Sequence, residues 1–219
     1  MSTDAKLESE KALAAREAAA LAEDGMLVGL GTGSTVAHLL PALAERGLRL
    51  RCVATSVATE AAARELGLIV EPFEGIDRLD IAIDGADQVT PEGWLIKGGG
   101  GAHTREKIVA AAAERFVVIA DSSKPVQRLH PPVPLELSPF GLAATLTELG
   151  TARVREAPPS PDGGVIADLD AELGDPDALA ARLAAIPGVI EHGLFEPALV
   201  SEVLIGRDGK VDRLPPRGS

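Results

Sequence analysis

Aromatic residues are scarce in this 219-residue chain: four phenylalanines, one tryptophan and no tyrosine, 2% of the sequence. Bases have few rings to stack on, and 33 acidic side chains outnumber 21 basic ones, for a formal net charge of -12. Such a chain is expected to bind neither nucleic acid nor an anionic membrane, so any anionic ligand must be held locally against the global field. The single cysteine, Cys52, excludes an internal disulfide and a cysteine-rich zinc site. Its apolar surroundings, RCVAT, mark it as a buried strand residue. Long apolar runs are missing too: no stretch approaches about 18 residues without a charge, so no transmembrane helix is expected. The N-terminal stretch MSTDAKLESEKALAAREAAALAEDG is charged throughout and lacks the cationic start and apolar core of a signal peptide. A cytoplasmic location is the expectation.

What is present is an ordinary globular composition, 46% hydrophobic and 25% charged, in a chain long enough for one large domain or one domain carrying a smaller one. An alanine-rich helix is expected from Asp4 to Glu23, stopped by Gly25. Short apolar strands follow at MLVGLG, RCVATS, LIVEPF, LDIAID and RFVVIA, with helices between several of them at Ser34 to Glu45, Ala58 to Leu66 and Thr104 to Glu114. This alternation predicts an α/β fold with a mostly parallel, helix-covered sheet. Pro41 is expected to kink or shorten its helix.

At LHPPVPLELSPFG, Pro131, Pro132 and Pro134 mark a linker, after which strand, helix, two strands, helix and strand succeed one another. That order is the ferredoxin-like split β-α-β motif. The run ALVSEVLIG then gives a strand expected to return to the first sheet. The predicted domains are therefore residues 1–130 with 197–219, a mostly parallel α/β unit, and residues 131–196, a small ferredoxin-like α+β unit.

Four stretches at strand ends could carry chemistry. GLGTGST, Gly29 to Thr35, offers backbone N–H groups and a helix N-terminus to an anion, with Ser34 or Thr35 as the helix cap. Serine at 34 breaks the dinucleotide fingerprint, and no Gly-Lys-Ser/Thr closes a P-loop, so no nucleotide cofactor is expected. LDIAIDGADQV places Asp84 and Asp87 around Gly85 and Ala86 at a strand end, where the ligand crevice of an open α/β sheet lies, although an Asp-Gly turn alone would also account for them. KGGGGAHTREK sets Lys97 at a strand end before Gly98, Gly99 and Gly100. Thr104 is a candidate cap there, Glu106 falls in the first helical turn, and His103 reads as a loop residue. ADSSK puts Lys124 at the same sheet edge. No histidine or cysteine cluster accompanies the carboxylates, so no metal site is expected.

Together, in this order and with IPGVIEHGLF near the C-terminus, the four motifs resemble the A-type ribose-5-phosphate isomerases over nearly the whole chain. The resemblance implies that Thr32, Gly33, Ser34, Thr35, Asp84, Gly85, Ala86, Asp87, Lys97, Gly98, Gly99, Gly100 and Lys124 bind the sugar phosphate, and that Glu106 is the catalytic base. It also implies that the larger domain is Rossmann-like and completed by the C-terminal strand, and that the chain forms a dimer or tetramer. His103 departs from the apolar residue common in that family. Aldose–ketose isomerisation moves a proton between adjacent carbons through an enediolate, which requires one carboxylate to shuttle it and a cation to meet the developing oxyanion. Glu106 suits the first role and Lys97 the second, with Asp84 and Asp87 handling hydroxyl protons. No redox cofactor is needed.

Two rivals share related folds. A sugar-phosphate-sensing regulator would need a basic helix-turn-helix unit, where this N-terminus offers one acidic helix. A CoA-transferase would use its glutamate as a nucleophile and form a covalent thioester.

Overall fold

The computed structural model describes residues 3–214, so both ends of the expected Rossmann-like range, 1–2 and 215–219, lie outside the described residues. Among the described residues six α-helices and fourteen strands follow one another. They are α1 (Thr3–Ala19), β1 (Leu27–Leu30), α2 (Ser34–Ala44), β2 (Arg51–Ala54), α3 (Val57–Glu65), β3 (Ile69–Val70), β4 (Ile81–Gly85), β5 (Gln88–Val89), β6 (Leu95–Ile96) and α4 (His103–Ala112). After them come β7 (Phe116–Asp121), β8 (Val133–Leu137), α5 (Leu142–Leu149), β9 (Ala152–Val154), β10 (Val165–Leu169), α6 (Pro176–Ala184), β11 (Val189–His192), β12 (Leu194–Phe195), β13 (Glu202–Arg207) and β14 (Lys210–Leu214).

The largest sheet has seven strands in the order β14-β13-β7-β4-β1-β2-β3, all parallel except β14. Without β14 this is the Rossmann order, whose direction of winding reverses between β1 and β4. The ALVSEVLIG run does return to it, as β13 alongside β7. A four-stranded antiparallel sheet, ordered β11-β8-β10-β9, carries α5 and α6 and has the ferredoxin-like order expected of its segment. Three short strands, ordered β12-β6-β5, form a third sheet. Their Trp94, Ile96 and Leu194 neighbours join the core of the four-stranded sheet, while Leu95 and Phe195 join the core under the seven-stranded one.

The helix ends differ from expectation for physical reasons. α1 stops at Ala19, short of Glu23, where the Arg46 guanidinium takes up the carbonyls of Ala19 and Ala22. Its alanines, Ala14, Ala15, Ala18 and Ala19, are buried, and small side chains let it lie close on the sheet. A Cβ added at Gly206 in β13 would stand 2.0 Å from the Glu10 carbonyl oxygen of α1. Pro41 does not stop α2: the helix continues to Ala44, and the Glu45 N–H bonds the Pro41 carbonyl at 2.9 Å. Burial of Val36, Leu39, Leu40 and Leu43 outweighs the one donor that proline removes. Cys52 is buried in β2 as expected, and burial pushes its thiol up to about 12.

α4 lies between the large sheet and the four-stranded one, and charged groups are buried with it. Lys107 donates to Glu191 Oε1 and to the His192 carbonyl, each at 2.6 Å, and sits 5.0 Å from the Phe195 ring centroid. His103 is no loop residue: it opens α4, is fully buried, and neither ring nitrogen has a hydrogen-bond partner among the described residues. Burial, helped by the positive charges of Lys107 and Arg155 and opposed by Glu191, lowers its pKa to about 4.

A histidine held neutral in the fold but titrating near its ordinary value when unfolded stabilises fully above pH 6.5 and loses that stability as pH falls toward 4. His103→Leu, which fills a similar volume without a proton site, removes up to about 3 kcal/mol of that acid-linked loss. Thermal melts are expected to show the variant gaining on the parent as pH is lowered from 7.5 to 4.5. An equal difference at both ends would show that His103 does not titrate in this way.

Candidate active site

The winding reversal between β1 and β4 opens a cleft at the carboxyl ends of the strands, and the loops that follow β1, β4, β6 and β7 line it. Thr32, Gly33, Ser34, Thr35, Gly85, Ala86, Asp87, Lys97, Gly98, Gly99, Gly100, Glu106 and Lys124 all face this one cavity. Asp84, the remaining residue expected there, is buried immediately beneath it.

The loop after β1 is shaped by contact with Asp84. A Cβ at Gly31 would fall 1.9 Å from the Asp84 carboxyl carbon, so only glycine lets the two loops meet. Asp84 Oδ1 accepts the N–H groups of Thr32 at 3.1 Å and Gly85 at 2.7 Å. Thr59 Oγ1 donates to the Gly31 carbonyl at 2.9 Å, and the Thr32 and Thr55 hydroxyls stand 2.8 Å apart. Neither Ser34 nor Thr35 caps α2. Gly33, at φ 120°, is the N-cap and supplies no side chain. The first N–H groups of α2 therefore remain open at the cavity wall, which is the arrangement that favours an anion. Thr104 does not cap α4 either, because its hydroxyl donates to the buried Glu136 carboxylate.

At the other end of the cleft lies a buried charge cluster. Lys97 Nζ donates to the Gly85 carbonyl at 2.5 Å and stands 2.8 Å from Asp84 Oδ2 and 3.0 Å from Glu106 Oε2. The two carboxylate contacts are close ion pairs. All three side chains are less than 5% exposed. Burial and then the Asp84 charge push the Glu106 carboxyl up to about 8, against the pull of Lys97. Burial likewise raises Asp84 against the pull of Lys97. Burial would lower Lys97, but the two carboxylates outweigh it and hold its pKa above the usual lysine range. Two carboxylates share one ammonium, and their protons belong to the pair as a unit.

The lysine is seated from below by β12. Its N–H bonds the Gly193 carbonyl at 2.9 Å, and a Cβ at Gly193 would lie 2.2 Å from the Lys97 carbonyl oxygen. The Phe195 ring, 5.4 Å from the Lys97 ammonium, closes that side. Asp87 Oδ2 accepts the Gly99 N–H at 2.8 Å. Lys124 belongs to a turn pinned by its own carbonyl, which takes the Val89 N–H at 3.0 Å, and by Glu10 of α1, whose carboxylate takes the Ser122 N–H at 3.1 Å. Among the described residues no three His, Cys, Asp or Glu side chains are grouped to hold a metal ion.

Sequence reasoning missed the supporting residues. Arg155, just past β9, donates to the carbonyls of Gly98 at 3.2 Å and Gly99 at 2.9 Å while paired with Asp168. Nothing in TARVREA distinguishes that arginine from an exposed strand residue. Glu10 carries no local signal either, and Phe195 closes the IPGVIEHGLF stretch, which says nothing of its place beside Lys97.

Residues 51–210 match the family model described as Ribose 5-phosphate isomerase A (phosphoriboisomerase A). A ribose-5-phosphate isomerase A of Bradyrhizobium diazoefficiens is 46% identical over 93% of this chain and 97% of its own length. The ribose 5-phosphate isomerase A structure from Neisseria gonorrhoeae superposes with a TM-score of 0.92 at 30% identity, covering 97% of this chain and 98% of that one. A D-ribose-5-phosphate isomerase solved in complex with phospho-erythronic acid superposes with a TM-score of 0.90 at 36% identity, over 95% of this chain and 99% of that one. With its motifs converging on one cleft at the Rossmann reversal point, the chain belongs to the ribose 5-phosphate isomerase A family.

Proposed function

We propose that this cleft interconverts ribose 5-phosphate and ribulose 5-phosphate, with Glu106 as the base that carries the proton. The observation behind the assignment is Glu106 itself: buried, 3.0 Å from a buried ammonium, and with its pKa raised toward neutrality. A carboxylate poised near the working pH can both take a proton and return it. Glu106 removes the C2 proton of the open-chain aldose and delivers it to C1, giving the ketose. Between the two transfers, charge on the former carbonyl oxygen is met by Lys97, a fixed cation in a site with little water to screen it. Asp84 and Asp87 relay hydroxyl protons during ring opening and transfer. The phosphate is held by the open N–H groups at the start of α2, by Ser34 and Thr35, and by Lys124.

The proposal extends to residues 1–130 with 197–219 as the catalytic unit and 131–196 as the smaller one. It also includes assembly as a homodimer or homotetramer, and cytoplasmic work in the non-oxidative branch of the pentose phosphate pathway. The comparisons support the substrate through the names and bound analogue of the relatives, and no helix among the described residues is long and apolar enough to cross a membrane.

A coupled assay for ribulose 5-phosphate formation tests the reaction directly, and no turnover would refute it. Glu106→Gln is expected to lower kcat by roughly 100- to 10,000-fold, the usual worth of a positioned general base, while sugar phosphate still binds. Melting should change little, because a glutamine resembles the protonated carboxyl that burial already favours. Near-normal turnover in that variant would remove Glu106 from the chemistry.

The ionised form of Glu106 is the base, so kcat/KM should rise with pH through an apparent pKa well above an ordinary glutamate, near the value of about 8 to which burial lifts it. A profile flat from pH 6 to 9 would contradict this.

Lys124→Ala should raise KM more than it lowers kcat, since a group on the non-reacting phosphate holds ground and transition states alike. A collapsed kcat at unchanged KM would move Lys124 to the reacting end.

A further inference from the structure

The glycine run that lines the cleft is a turn whose sequence permits two states. The Gly101 N–H bonds the Gly98 carbonyl at 3.0 Å, closing a four-residue β-turn over Gly98–Gly101. Gly98 and Gly101 take positive φ, 107° and 73°, while the central Gly99 and Gly100 do not, as in a type I turn. Turning over the central Gly99–Gly100 peptide would give a type II turn, which requires positive φ at Gly100. Glycine adopts that φ as readily as a negative one, so the loop sequence cannot choose between the states.

Arg155 makes the choice. One guanidinium nitrogen donates to both the Gly98 and Gly99 carbonyls, and the rest of the fork is held by Asp168 of β10. In a trans peptide the N–H points opposite to the C=O. The Gly98–Gly99 peptide shows it: its carbonyl faces Arg155, and its N–H meets Asp87 Oδ2 at 2.8 Å on the cavity side. By the same geometry, fixing the Gly99 carbonyl turns the Gly100 N–H away from Arg155. That N–H has no hydrogen-bond partner among the described residues, and Gly100 lines the cleft. In the flipped state the Gly99 carbonyl would face the cleft and repel an anionic substrate oxygen. Ile166 of β10 backs the turn, 3.3 Å from where a Gly101 Cβ would stand.

We propose that Arg155, braced by Asp168, is a positioning residue that selects the peptide orientation offering the Gly100 N–H to an oxygen of the sugar phosphate in the cleft. The inference rests on the isomerase reading, and wild-type turnover tests that reading separately.

The experiment compares wild type, Arg155→Ala and Arg155→Lys for kcat, KM and melting temperature, with free guanidinium as an additive at concentrations that leave wild type folded. Arg155→Ala is expected to lose about 10- to 100-fold in kcat, the scale of one misplaced donor, with a much smaller change in KM. Guanidinium should restore part of that loss in Arg155→Ala and nothing in Lys124→Ala. Arg155→Lys, with a compact ammonium in place of the fork, should fall between wild type and alanine. Amide exchange at Gly99 should speed up about tenfold in Arg155→Ala, as loss of one supporting hydrogen bond implies, while β10 amides stay protected. This readout needs no turnover, so it tests the loop even if wild type proves inactive. Unchanged kcat, losses that only track a lowered melting temperature, or unchanged Gly99 exchange would overturn the proposal.

Discussion

Everything in the cleft depends on one buried ammonium. Lys97 stands between Asp84 and Glu106 with almost no solvent contact, and this trio ties the loops after β1 and β4 to α4. Asp84 holds the loop after β1 through the Thr32 N–H, Lys97 ties down the Gly85 carbonyl, and Glu106 brings α4 to the same ammonium. Taking such charges out of water costs several kcal/mol per ion, and only mutual proximity and hydrogen bonds offset it. Removing the ammonium alone would strand two carboxylates, at a cost of about 3 to 5 kcal/mol. The cost is spent on reactivity, because the same dehydration lifts Glu106 toward neutrality and leaves the lysine charge unscreened.

Other features follow from serving that trio. Glycines at 31 and 193 exist because neighbouring groups approach to within a side chain's width, with Asp84 at the first and the Lys97 carbonyl at the second. Phe195 gives the ammonium an aromatic neighbour instead of water, and it gives Lys107 the same on the side of α4. The other end of the cleft presents the open N–H groups of α2 and the half-buried Lys124.

The sequence made the site legible where function is written into short contiguous stretches. GTGST, DGAD, KGGGGAHTREK and ADSSK each follow a strand, and the strand ends of an open α/β sheet converge, so local reading sufficed to gather all thirteen lining residues. It failed where a residue acts at long range. Arg155 is 57 positions from Gly98, and its surroundings read as an ordinary strand edge. Glu10 is 112 positions from the turn that it holds. The caps were misread because Ser34, Thr35 and Thr104 have the right chemistry for capping, but tertiary partners or an open cavity claim them. β14 was missed although its signal was present. Asp208 and Gly209 take φ 47° and 79°, the paired positive values of a type I′ hairpin turn, and the RDGK stretch spells it out.

The position of β13 has a consequence for how the molecule is made. It inserts between β7 and β14 and lies under α1, so the first helix of the chain rests on one of its last strands. Lys97, too, is seated by Gly193 and Phe195, which follow nearly a hundred residues later. A growing chain therefore carries Asp84, Lys97 and Glu106 long before Gly193 and Phe195 can close over the lysine. β7 gains its second neighbour only when β13 has been made, and the lysine ammonium gains its aromatic neighbour only with Phe195. The burial of the charge cluster therefore waits on late strands, although its own three side chains lie in the first half of the sequence.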